Sequence, residues 1–465
     1  MTTNSVQTDG STSVGLTQQI ADYACDITNR RPTDASLAVV RLGFTDAAAV
    51  TLAGLSEDVT RITRRLVRAD PGLPRARLCF SAERASPGNA ALLGAVAAHA
   101  IDWDDYAYSN HPSAVLVPVI LAVADARGAT GMRMAQAYIA GYEVWGNLMR
   151  REPGHLHSKG WHPTAVLGPI AAAVAAAVLM RLDPEATRHA VALGASFAGG
   201  VMANFGTMAK PLHAGRAAQS GIQAAGMALA GIQAGATALE SPLGLLRALS
   251  PEGRVDLVTP LPGVGQPGLI ETLGLNIKKY PTVGASQRTI DALRGLLARQ
   301  AVDPAQVHEA IALVSEKHAA VMPFHHARTA LEAKFSLEFV VAACLLRGKV
   351  GLAELQDDFV SSDAVQALMR RVRIDTTTEV DPGYPSAAPA DFVRLRMTDG
   401  TEYATDKVRR ATGHADLPLP TSELWAKFQE CAQLVQATED RARRLFDALQ
   451  RIDALNGPED IPEVT

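Results

Sequence analysis

From about Leu16 to Leu249 the chain reads as one helix after another. Apolar positions recur at three- and four-residue spacing, and Gly or Pro marks the breaks at Pro71-Gly72, Pro87-Gly88, Gly128 and Pro184. The runs 163–182 and 213–235 are rich in Ala and Gly, so their helices are expected to approach closely. The most apolar stretch, Ala165 to Met180, is interrupted by Gly168 and Pro169 and is short for a membrane span, which predicts a buried core helix. A Pro- and Gly-rich loop, Pro260 to Gly268, then breaks the pattern. Beyond it, Ile311 to Ser315, Val372 to Ile374 and the alternating Phe392-Val-Arg-Leu-Arg-Met-Thr predict strands, with Asp399-Gly400 as a hairpin turn before Thr401-Glu-Tyr. Helical spacing returns from Ser422 to Ile452. The predicted fold class is α+β, mainly α. A large helical domain takes residues 16–259 and 411–455, and a smaller α+β domain, residues 260–410, is inserted before the C-terminal helix.

Candidate chemistry gathers where helices begin and end. The helical run Ala90 to Ala100 empties into His99-Ala-Ile-Asp-Trp-Asp-Asp-Tyr and then His111-Pro112, which crowds Asp102, Asp104 and Asp105 between two imidazoles. Carboxylates withdrawn from water need partners, and such pairs are where pKa values move. A solvated acidic turn is the alternative for this segment taken alone. Two further segments, Gly160-Trp-His162-Pro163-Thr and Gly206-Thr-Met-Ala-Lys210-Pro211-Leu-His213-Ala-Gly, open the two small-residue runs. Proline fits the first helical turn, so His162 and Lys210 are expected at the positive ends of close-packed helices, where a carboxylate is readily held.

Composition narrows the function classes. A chain of 465 residues suggests two domains or one large one, and a net charge of −4 gives no footprint for nucleic acid. Arg61, Arg64, Arg65 and Arg68 have helical spacing without interleaved aromatics and read as a solvated face. Cys25, Cys79, Cys344 and Cys431 are far apart with no Cys-x-x-Cys, so neither a zinc site nor a disulfide framework is indicated; thiols in a reducing cytoplasm are expected. Met1 to Gly15 is polar and reads as a disordered tail, not a signal peptide. Gly263-Val-Gly-Gln-Pro-Gly268 matches G-x-G-x-x-G but follows no clear strand and contains a proline, which argues against dinucleotide binding. His155 and His157 follow Pro153-Gly154 and read as loop residues. His325-His326, followed by Arg328 and Lys334, is either a basic loop of the smaller domain or a lid that brings cations onto an acidic substrate.

Six segments in order make the chain resemble the MmgE/PrpD family of 2-methylcitrate dehydratase, cis-aconitate decarboxylase and iminodisuccinate epimerase. They are Asp102-Trp-Asp-Asp with His111-Pro112, Ile139-Ala-Gly-Tyr-Glu143-Val, Gly160-Trp-His-Pro-Thr, Gly206 to Gly215, Lys279-Tyr280-Pro281, and Glu332-Ala-Lys-Phe-Ser336-Leu-Glu. The resemblance runs over roughly residues 15–455. It implies a cofactor-independent lyase, without a metal, that acts on a di- or tricarboxylic acid. A 2-methylcitrate-dehydratase-like hydro-lyase is the leading expectation. A decarboxylase of an aconitate-like acid, a dicarboxylate epimerase and a non-catalytic carboxylate-binding protein are the alternatives. It also implies a homodimer formed by the helical domain.

The resemblance carries site roles onto matching positions. Lys210 would hold a substrate carboxylate, and His162 and His111 would serve as base and acid, with Asp102 orienting one imidazole and Tyr106 in the site. His213, Lys279 and Arg328 are further expected substrate contacts. Such chemistry must stabilise an aci-carboxylate with preorganised cations and N–H dipoles and must supply a base, for which histidine is suited. Two departures stand out: Tyr106 replaces a Thr frequent in relatives, and Val283 and Gln287 stand where relatives carry a histidine after the Lys-x-Tyr/Phe-Pro motif. Tyr106 as a second base would suit an epimerase.

Overall fold

Small residues let the two central helices nearly touch. The helix Pro163–Met180 packs against the helix Ala209–Leu229 along its length, and a Cβ on Gly221 would collide with the backbone of Ala172 and Ala173. Around this pair lie the helices Pro87–His99, Pro112–Arg127, Gly131–Arg150 and Pro184–Ser196, with Asp34–Gly54 packed outside them on Pro87–His99. The Pro163–Met180 helix is long and apolar enough to cross a membrane, yet nearly all its side chains are enclosed by this bundle. The computed structural model describes residues 14–465 except His155, so the tail expected over residues 1–15 lies, up to Ser13, outside the described residues, as does the loop assignment of His155.

Two cores divide the chain. The first takes apolar residues from Leu16 to Ile277 and resumes at Leu424, through the helices Thr421–Gln433 and Glu439–Leu449, to Val464. The second runs from Tyr280 to Met397. In the smaller part a four-stranded sheet has Val307–Ser315 inside, parallel to Val372–Thr377 on one side and antiparallel to Phe392–Met397 on the other, with Glu402–Ala404 at the edge. The last two strands are joined through Asp399-Gly400, where Gly400 takes the left-handed φ of +87° that the turn requires.

A buried lysine ties the returning C-terminal segment to the bundle. Lys427 donates to Asp46 Oδ1 at 2.6 Å, to Trp103 O at 2.7 Å and to Lys278 O at 3.0 Å. It thereby clamps the 100–111 loop against the segment that leads into the smaller domain. Asn276 pairs in antiparallel fashion with Tyr106 on the same seam. The Gly263–Gly268 loop ends at a short helix whose first N–H groups, those of Leu269 and Ile270, are taken by the Glu143 carboxylate at 2.9 and 2.8 Å. That anion position is filled by the protein itself.

Candidate active site

Three helix starts converge. His111 caps the helix Pro112–Arg127, His162 caps Pro163–Met180, and Lys210 lies in the first turn of Ala209–Leu229, each next to a proline in that turn. The chain reaches His111 through a tight loop after the helix Pro87–His99, in which Asp102 adopts a left-handed φ of +54°, Tyr108 +39° and Ser109 +60°. Backbone strain of this kind persists only where surrounding contacts over-determine it, and it gathers at functional sites. Here it turns Asp102 and Asp104 inward.

The buried acids then have different fates. Asp102 Oδ1 accepts from Lys210 Nζ at 2.7 Å and faces Lys278 Nζ at 3.3 Å. Burial opposes its ionisation, but the two ammonium groups outweigh it and hold the carboxyl well below the usual range. Asp104 is also buried and also held low, by the imidazoles it faces: His99 Nδ1 at 3.0 Å and His111 Nδ1 at 2.8 Å. Asp105 goes the other way. Burial and the nearby Asp46 carboxylate push it well above the ordinary value, which favours its protonated form.

These contacts define the imidazoles. Lys210 Nζ donates to His99 Nε2 at 2.8 Å, which leaves His99 Nδ1–H to donate to Asp104. Burial drives the His99 pKa down to about 3. His111 has Asp104 and the Asp105 carbonyl (3.2 Å) on its Nδ1 side, so Nδ1 carries the proton and Nε2 is the free base. Burial lowers the His111 pKa, and it lowers that of His162 much further, with Lys210 as the next cause. The imidazoles are therefore neutral at pH 7 and able to accept a proton. Burial also lowers the Lys210 pKa, against the pull of Asp102.

A cavity of about 730 Å³ opens beside this cluster, at the seam of the two parts. Asp102, Tyr106, His111, His162, Lys210 and Lys278 line one side, and Val283, His318, Phe335 and Tyr384 the other. Burial and then Tyr384 raise the Tyr106 pKa well above the ordinary value, so Tyr106 is an O–H donor and a poor base. His99, Asp102, Asp104 and His111 offer donor atoms within 4.8 Å of one another, a spacing that suits an ion. Two lysine ammonium groups already hold Asp102, however, and their charge would repel a divalent cation.

Not every expected residue comes here. Lys279 turns away and pairs with Glu423 at 2.7 Å; its neighbour Lys278 points in, donating to the Asp102 carbonyl at 2.7 Å. Arg328 is exposed and is not among the lining residues, because the helix-capping loop it belongs to faces solvent. Of the suggested lid, His325 pairs with Glu338 at 2.7 Å and His326 is exposed, whereas Lys334 is buried and reaches the Ala100 carbonyl at 3.5 Å. His213 sits behind His162, with their Nδ1 atoms 3.1 Å apart, and does not line the cavity. Lys210 is not an unencumbered carboxylate grip but an ion-paired one. The orienting carboxylate is Asp104, not Asp102. Asp104 and His99 were both legible in the acid-rich segment, which ends a helix too apolar to leave charges in water.

Comparison with known proteins gives the same family as the motifs. Residues 18–257 match the MmgE/PrpD N-terminal domain and residues 280–451 the MmgE/PrpD C-terminal domain. Cis-aconitate decarboxylase of Homo sapiens is 29% identical over 362 residues, which cover 74% of this chain and 73% of the relative. The Mus musculus protein of that name is 27% identical over 388 residues, 80% of this chain and 77% of the relative. The Aspergillus terreus one is 24% identical over 400 residues, 80% of each chain.

Proposed function

The chain belongs to the MmgE/PrpD family, and from that premise we propose that it is a cofactor-independent lyase of a carboxylic acid, with His111 handling the proton at the carbon beside a carboxylate. The observation that carries this reading is the Asp104–His111 pair, 2.8 Å apart, set next to the Lys210–Asp102–Lys278 triad in one cavity. Decarboxylation is the leading reaction, because cis-aconitate decarboxylase is what the similar proteins are called. When the C–C bond to CO2 breaks, its electron pair stays on carbon and spreads into the adjacent carboxylate. Lys210 and Lys278 stabilise that aci-carboxylate, and His111, neutral at rest, takes up a solvent proton at Nε2 and delivers it to carbon.

A 2-methylcitrate-dehydratase-like reaction is the second reading, favoured by the neutral imidazoles. There the imidazole first removes the proton, and hydroxide then leaves from the neighbouring carbon. Both paths pass through an aci-carboxylate, reached by loss of CO2 in the first and by loss of a proton in the second. Epimerisation gains less support, since the raised Tyr106 pKa disfavours a second base on that side. Incubation with cis-aconitate and 2-methylcitrate separates the readings: released CO2 marks the first and water loss with new ultraviolet absorbance the second. Binding of such acids without turnover at any pH would leave only a carboxylate-binding protein. We extend the proposal to a cytoplasmic homodimer, supported by unpaired cysteines and by exposed Leu212, Met227, Leu229 and Ile232 on and just after the Ala209–Leu229 helix. Light scattering that finds monomer alone at micromolar concentration would overturn the dimer.

A further inference from the structure

The smaller part brings donors of its own to the cavity, across the seam from Lys210 and Lys278. Lys317, His318, Tyr384 and Ser386 all line it, on two segments that lock together. One follows the inner strand Val307–Ser315, and the other is the loop that leads to the strand Phe392–Met397. Ser315 Oγ donates to the Ser386 carbonyl at 2.7 Å, and Lys317 Nζ to the Pro385 carbonyl at 2.9 Å. The loop is also closed on itself: Asp381 N–H donates to the Ala387 carbonyl and Ala387 N–H to the Tyr384 carbonyl, each at 2.9 Å. The buried Asp381 carboxylate is gripped by Arg410 at 2.6 Å and Arg409 at 3.1 Å. Fixing an irregular segment this firmly costs backbone entropy, and it preorganises whatever the segment presents.

What it presents to the cavity is Tyr384. The ring makes edge contacts with His318 and His414, at centroid distances of 6.1 and 5.8 Å. Burial raises its pKa, so the phenol keeps its hydrogen, and the Ser386 and Tyr106 hydroxyls lie beside it. Hydroxyls alone would suit a neutral alcohol as well as an anion. Lys317 decides between them. One of its three N–H groups goes to the Pro385 carbonyl, and no ion pair matches its charge among the described residues. An ammonium beside hydroxyl donors favours a carboxylate, which takes charge-assisted hydrogen bonds.

We infer that Tyr384 and Lys317, with Ser386, hold a second carboxylate of the substrate, so that the acid spans the seam and needs at least two carboxylates to engage both parts. From the lyase proposal this takes only that another carboxylate meets Lys210 and Lys278. The test is affinity in the full-length protein, by calorimetry with cis-aconitate and by NMR titration with crotonate, which has a single carboxylate. Tyr384→Phe and Lys317→Met should each weaken cis-aconitate about tenfold or more, the effect of losing a hydrogen bond to a charged group. Crotonate affinity should stay within about twofold of the parent in both, because its one carboxylate sits at the lysines of the helical part. Circular dichroism confirms the fold. Parent-like cis-aconitate affinity in either variant, an equal loss for crotonate, or a parent protein that binds cis-aconitate no more tightly than crotonate would overturn the inference. The expected selective losses without turnover of any acid would count against the lyase proposal alone.

Discussion

Asp104 Oδ2 stands 2.8 Å from His111 Nδ1, in a setting where neither carboxylate oxygen is exposed to solvent. That contact fixes the tautomer of the imidazole and leaves Nε2 as its only basic atom. Asp104→Asn keeps the shape but presents an amide that stabilises either tautomer. Turnover should fall about 10²-fold or more with KM little changed, as expected when general-base geometry is lost. Steady-state kinetics read this directly, and a kcat within threefold of the parent would refute the role of Asp104.

Lys210→Met tests the other half of the site. The ammonium supplies charge-assisted hydrogen bonds of about 1.5–3 kcal/mol to groups that cannot reach water. Its loss leaves Lys278 alone with Asp102, so both acid affinity and turnover should drop. Calorimetry that shows unchanged affinity would place the substrate carboxylate elsewhere.

The buried imidazoles make stability depend on pH in a definite sense. His99 has a pKa of about 3 when folded, against about 6.5 in an unfolded chain. Between these values the unfolded state binds more protons, so stability is full above about 6.5 and is lost as pH falls toward 3. His111 and His162 act in the same direction, whereas the raised carboxyls of Asp105, Asp46 and Asp391 oppose them in part of this window. The melting temperature should therefore be lower at pH 5.5 than at pH 7.5. Equal or higher values at the acid end would show that these histidines are not held neutral.

Tyr106→Phe separates a wall from a participant. With its O–H retained by a high pKa, Tyr106 can donate a hydrogen bond but scarcely accept a proton. A loss of a few-fold in kcat/KM is expected. A loss of 10³-fold, together with abolished exchange from one face of the substrate, would restore the two-base epimerase.

The helical bundle and the inserted sheet were legible because their signals are local. Apolar spacing located the helices, prolines at 163 and 211 flagged the turns that carry His162 and Lys210, and the acid-rich segment flagged His111. The choice between Lys278 and Lys279 was not local. It depends on how the 276–278 segment pairs with Tyr106 and on the Lys427 clamp from a helix far along the chain. Phe335, His318 and Tyr384 reach the cavity only because the second core docks on the first; Phe335 lies in the Glu332–Glu338 segment, but no motif surrounds His318 or Tyr384. Arg328 follows the basic pattern expected of a lid, yet its loop faces outward.

The central claim, that His111 handles a proton on the carbon beside a carboxylate, is tested most directly by solvent deuterium. A turned-over acid in D2O should carry deuterium at that carbon, and His111→Gln should slow its appearance by about 10²-fold or more while the acid still binds. His162→Gln is the matched control for the second imidazole. Decarboxylated product formed without deuterium, or deuterium entering at the parent rate in the His111→Gln protein, would contradict the account.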